Sequence, residues 1–177
     1  MFRHPKTLLS LASLGLLLVF AVFAQDARQG SVVRRLSDIP ATTAAGFRYI
    51  NPATLSAPSG YTHVVSVPAG SRTLYISGQI AFNAQGELVG QNDFAAQAEQ
   101  VFANLNTALQ AADATFANVV RLDIYVTDMT QLKALRVARD KFIDLKHPPA
   151  STLVEVSKLS RDGLLLEVEA TAVVPSP

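Results

Sequence analysis

The sequence holds no cysteine and no tryptophan in 177 residues, and only three histidines, at positions 4, 63 and 147. Without cysteine there is no thiol nucleophile, no disulfide framework and no thiolate metal site. The histidines fall at no metal-ligand spacing such as H-E-x-x-H, which argues against a zinc or haem enzyme. An excess of one charge is also missing, since 15 Lys and Arg face 14 Asp and Glu. Such a balance offers no basic footprint for nucleic acid.

What is present begins with a short basic start, Met1-Phe2-Arg3-His4-Pro5-Lys6, followed by an uncharged run from Leu8 to Ala24. Val22-Phe23-Ala24 then gives way to Gln25-Asp26, the pattern of a secretory signal cleaved after Ala24. The run is also close to the length of a retained membrane anchor. The expectation is a signal peptide over 1–24, a linker or loose arm over 25–46, and one compact domain over 47–174 in the periplasm or outside the cell. A chain without cysteine suits that compartment, and cleavage would leave no membrane partner.

Within the domain, Tyr61–Val67 and Arg72–Ser77 alternate and flank the turn Pro68-Ala69-Gly70-Ser71, which predicts a hairpin. Asn92 or Asp93 is placed to cap a helix to about Ala112, with Phe94, Ala98, Val101, Phe102, Leu105 and Leu109 as its apolar stripe. Val119–Val126 alternates as a strand. A second helix follows Thr127 or Asp128, with Leu132, Leu135, Ala138 and Phe142 on one face and a stop at His147-Pro148-Pro149. Thr152–Val156 and Leu164–Val174 read as closing strands.

That order implies an α+β fold, a mostly antiparallel sheet with both helices on one face. Alternation predicts that Val120, Leu122, Ile124 and Val126 face the helices. It assigns Arg121, Asp123, Tyr125, Tyr75, Ser77, Ser151, Leu153, Glu155, Glu167 and Glu169 to the other face. Such a mixture of aromatics and carboxylates suits either solvent or an oligomer interface with polar pockets.

Three stretches resemble one family. Tyr75-Ile76-Ser77-Gly78-Gln79-Ile80, Asp123-Ile124-Tyr125-Val126-Thr127-Asp128, and Pro149-Ala150-Ser151-Thr152-Leu153-Val154-Glu155-Val156 with Glu167-Val168-Glu169-Ala170 are similar to motifs of the reactive intermediate deaminases, the RidA/YjgF group. The resemblance spans about Phe47 to Val174 and implies a chorismate-mutase-like fold and a homotrimer with ligand clefts between subunits. It also implies hydrolysis of reactive enamines and imines, such as 2-aminoacrylate, to carbonyl compounds and ammonia with no cofactor or metal.

Carried over residue by residue, Tyr61, Ser77 and Gly78 match the cleft's substrate-binding positions. Glu167 matches the glutamate that positions the attacking water. The family's substrate-carboxylate arginine belongs where this chain has Ser151, an expected asparagine falls near Leu135, and Leu153 stands where active members often have cysteine. A hydroxyl cannot reproduce the bidentate grip of a guanidinium on a carboxylate. Arg121 is the one cation expected on that face, as a replacement anchor or in a salt bridge, and His63 is a further candidate base. With Glu155, Glu167 and Glu169 nearby, the cleft is expected to be neutral to negative. A catalytically silent trimer that binds a small metabolite or a protein partner is the alternative reading.

Overall fold

The computed structural model of the protein describes residues 46–175, so the expected signal segment and nearly all of the expected arm lie outside the described residues. Its elements are β1 (Arg48–Ile50), β2 (Val64–Ser66), β3 (Arg72–Gln79), α1 (Phe94–Ala111), β4 (Val119–Val126), α2 (Leu132–Arg139), β5 (Ala150–Glu155) and β6 (Leu166–Val174). The main sheet runs β3-β6-β4-β5. β6 is antiparallel to both β3 and β4, whereas the edge strand β5 runs parallel to β4. The helices cover one face, giving the expected α+β architecture.

α1 forms where its sequence period predicts. The Asp93 side chain accepts a hydrogen bond from the Ala96 N–H at 3.1 Å, satisfying one of the free amides of the first turn. The whole predicted stripe is buried, with Ala98, Val101, Phe102, Leu105 and Leu109 fully so. These side chains meet Leu122, Ile124 and Val126 of β4 and Leu166, Val168, Ala170 and Ala172 of β6 in one apolar cluster. Gln97, also fully buried, escapes the apolar period. Its amide donates to the Gly90 and Gly163 carbonyls and accepts from the Leu165 N–H, so a polar clip ties α1 to the entry of β6.

Three expectations about the fold are corrected. The two strands flanking Pro68-Ala69-Gly70-Ser71 do not pair with each other. β2 pairs with β1 and β3 pairs with β6. The turn itself is present, with Gly70 at φ +77° and the Ser71 hydroxyl donating to the Pro68 carbonyl. β2 keeps only three residues, while the nine-residue β6 gives β3 a long ladder and an apolar face to share.

Val120 does not face the helices. The β4–β6 register shifts between Val119 and Arg121, a bulge that sends Val119 to the main cluster and Val120 to a separate one with Phe47 and Val173. The second helix is also shorter than predicted. A 3-10 turn at Met129–Gln131 precedes α2, and α2 ends at Arg139, before the prolines.

Candidate functional site

The loop before β2 and the strand after the double proline are fastened together by one residue. Thr62, almost wholly buried, donates its N–H to the Pro149 carbonyl at 3.1 Å and its hydroxyl to the Pro148 carbonyl at 2.7 Å. This brings Tyr61, next to Thr62, and Ser151, two residues after Pro149, to the wall of one cavity. Gly60, at φ +78°, lets the loop pass over Arg139, since a Cβ there would lie 2.8 Å from the Arg139 guanidinium. Arg139 in turn donates to the Gly60 carbonyl and pairs with Asp140.

The cavity measures about 220 Å³. Ile124, Leu132, Leu135 and Leu153 make its apolar walls, and Ser59, Tyr61, Ser151, Arg136 and Arg139 its polar ones. No carboxylate lines it.

This placement overturns the expected side for Ser151, Leu153 and Glu155. In the parallel β4–β5 register Ser151 lies beside Leu122, Leu153 beside Ile124 and Glu155 beside Val126. Residues side by side in a ladder share a face, so these three point to the helix side. Glu155 there accepts a hydrogen bond from the Met129 N–H at 2.7 Å. The error has a physical source. β5 is an edge strand whose two faces, Ser151-Leu153-Glu155 and Thr152-Val154, are similarly mixed, so its own sequence does not fix its parity.

The opposite face of the sheet carries the other predicted residues. Thr73, Tyr75 and Ser77 of β3, Arg121, Asp123 and Tyr125 of β4, and Glu167 and Glu169 of β6 alternate away from the helices. Tyr75 is 85% exposed. The β3–β6 register breaks between Ile76 and Gln79, where Ser77 and Gly78 sit. Gly78 is required there, because a Cβ would stand 1.9 Å from Glu167 Oε1. Glu167 therefore lies directly against the backbone beside Ser77.

Arg121 is on this acidic face, the side of the sheet opposite to the Ser151 side chain. It holds Asp123 through two hydrogen bonds of 2.7 and 2.6 Å, and this pairing raises its pKa further. The Tyr125 phenol is likewise raised, first by the Glu169 charge and then by burial and the Asp123 and Glu167 charges.

His63 does not line the cavity. Its ring bonds the Ser56 carbonyl, its backbone N–H donates to Asn51, and Tyr61 packs edge-on against it. That is a role in holding the loop. Among the described residues no group of three or more acidic or histidine side chains is arranged to hold a metal ion.

Within one chain, then, the predicted residues fall into two sets. Tyr61 and Ser151 belong to the helix-side cavity; Ser77, Gly78, Glu167 and Arg121 belong to the opposite face. Within one chain the carboxylates expected around Ser151 are elsewhere: Glu167 and Glu169 are across the sheet, and Glu155, on the same face as Ser151, bonds the Met129 N–H and does not line the cavity. Arg136 and Arg139 went unnoticed in the sequence. The signal was available in the spacing of Leu132, Leu135, Arg136 and Arg139, which share one helical face at i, i+3, i+4 and i+7.

The family model described as endoribonuclease L-PSP matches residues 52–174. A RutC family protein of Synechocystis is 32% identical over 131 residues, 73% of this chain and 98% of the relative. A solved Yersinia pestis structure, described as a protein of unknown function of the conserved Rid family, is 43% identical at a TM-score of 0.64, covering 72% of this chain and 98% of that one. The solved RidA of an Antarctic Psychrobacter is 31% identical at a TM-score of 0.53, covering 67% and 92%.

Proposed function

The chain belongs to the RidA/YjgF (endoribonuclease L-PSP) family, and from that premise we propose that it hydrolyses reactive imines and enamines to carbonyl compounds and ammonia. The observation that carries this reading is the fit of Gly78 against Glu167, which reserves a position for that carboxylate beside Ser77. An enamine first takes a proton at carbon to become an iminium ion, the protonated imine. Glu167 then accepts a proton from water as the water oxygen bonds to the C=N carbon. Glu167 returns that proton to the nitrogen of the resulting carbinolamine, the C–N bond breaks with its electron pair going to nitrogen, and ammonia leaves as the hydroxyl loses its proton and the C=O bond forms. The balance is one imine and one water giving one carbonyl and one ammonia.

The two sets of residues lie on opposite faces of the sheet, so a cleft built from both requires a neighbouring subunit. We therefore place the working cleft between copies in a homotrimer. The exposed Tyr75 and the mixed face around it suit burial against a second copy. Export, with cleavage after Ala24, completes the proposal. A mature protein that begins at Gln25 in the periplasmic fraction supports it, and one that retains Met1 in the cytosol rejects it.

The test is ammonia release from imines made in situ by an amino-acid oxidase. Glu167→Gln should lower the rate by about 100-fold or more while circular dichroism and oligomeric state are kept. Equal rates in the two proteins would reject the role of Glu167. Cleavage of an RNA panel with no ammonia release would assign a different chemistry. The second reading, a silent binding module, is favoured by Ser151 at the family arginine's position. It predicts ligand binding with no turnover.

A further inference from the structure

We infer that Arg136 of α2 is the anion-binding residue of the helix-side cavity, so that this chain grips a small carboxylate from the helix instead of from β5. The inference deepens the proposed function and takes its choice of ligand from it.

Two arginines line the cavity, and only one is free to act. Arg139 is nearly buried, pairs with Asp140 and donates to the Gly60 carbonyl, so its charge and its donors serve the loop. The Arg136 side chain has no carboxylate and no hydrogen-bond acceptor among the described residues, yet it lines the same cavity. Ser151 and Tyr61 add two hydroxyls with no side-chain partner among the described residues.

With no Asp or Glu of the same chain in the lining, Arg136 is a cation with no carboxylate partner among the described residues, beside apolar Leu132, Leu135 and Leu153. A guanidinium fork with hydroxyl donors near it suits a planar carboxylate bidentately. A cavity of about 220 Å³ admits only a small ligand, being under the roughly 300 Å³ lower bound of ordinary drug-sized pockets. The residue replaced in β5 and the residue supplied by α2 thus reach one space from two sides. Ser151 leaves room that a long side chain there would fill.

Binding of pyruvate, its methyl ester and inorganic phosphate to the full mature protein, followed by calorimetry or ligand-observed NMR, tests this. Pyruvate should bind, methyl pyruvate should bind about 10-fold or more weaker, and phosphate, which has no apolar part to set against the leucines, should compete only at about 10-fold or more higher concentration. Arg136→Gln should weaken pyruvate about 10-fold, Arg136→Lys should recover part of the loss, and Lys133→Gln, which removes an equal charge from the same helix outside the cavity, should change nothing. Raising the salt concentration should weaken pyruvate in the unsubstituted protein and in Arg136→Lys, and much less in Arg136→Gln.

Pyruvate binding unchanged in Arg136→Gln, an ester that binds as well as the acid, or phosphate that binds as tightly as pyruvate would each overturn the inference. Ammonia release from an uncharged imine by the unsubstituted protein separates the two proposals. Release without Arg136-dependent pyruvate binding sinks this inference alone, and Arg136-dependent binding without release sinks the hydrolytic reading alone.

Discussion

The two faces of the main sheet are built from the same four strands and differ in almost every chemical respect. The covered face is filled by fully buried Phe102, Leu105, Leu122, Leu166 and Val168, and it opens at one edge into a cavity walled by arginine. The open face carries Asp123, Glu167 and Glu169 around two tyrosines. Stability is concentrated on the first and proton-accepting groups on the second. The sheet thus keeps the cation of Arg136 and the carboxylate of Glu167 apart within one subunit, where they would otherwise neutralise each other.

The sharpest way to break that contrast is to damage the covered face. Phe102 is fully buried and stacks with Phe142 at 5.8 Å between ring centroids. Phe102→Ala should cost about 3–5 kcal/mol in urea unfolding, and a loss under about 1 kcal/mol would show that the site collapses around the gap. A methyl group on the open face should act the other way. Gly78→Ala drives a Cβ into the Glu167 carboxyl, so that carboxyl must turn aside. Ammonia release should fall on the order of 100-fold with a stability change of about 1 kcal/mol. Full activity in Gly78→Ala would detach Glu167 from the chemistry.

The smallest effect expected is electrostatic. Asp128 is held below the usual carboxylate range, first by the Thr130 hydroxyl, then by the Thr130 N–H and the Gln131 amide. A pKa depressed by folding contributes stability above the ordinary value of about 3.9 and loses it as pH falls through the folded value. Asp128→Asn should therefore lower the melting temperature slightly at neutral pH and not at about pH 2. A difference that persists in acid would assign the effect to shape, not charge.

How far the sequence could be read follows the same division between faces. Where an apolar period is strong, as along α1 and in Leu166-Val168-Ala170-Ala172, the elements and their buried sides were legible. Where alternation is weak, they were not. β5 has mixed residues on both sides, so alternation alone puts Ser151 on the wrong face and only the register with Leu122 sets the right one. The bulge at Val120 and the pairing of β3 with β6 depend on partners far along the chain. The motif residues Tyr61, Ser77, Gly78 and Glu167 were recognisable one by one. That they divide between two faces is a property of topology. Arg136 was hidden because charged residues on a helix are read first as solvated.

The central claim is that the cleft is completed by a second copy, one subunit giving the helix-side cavity and its neighbour the Glu167 face. Two variants with single lesions on opposite faces, Tyr61→Ala and Glu167→Gln, test it when each is inactive alone. Unfolded together in equal amounts and refolded as mixed oligomers, they should regain about one quarter of the unsubstituted ammonia release, the fraction of clefts that draw both intact faces by random assortment. A mixture as inactive as its two components, with mixed oligomers demonstrated by mass, would contradict a shared cleft.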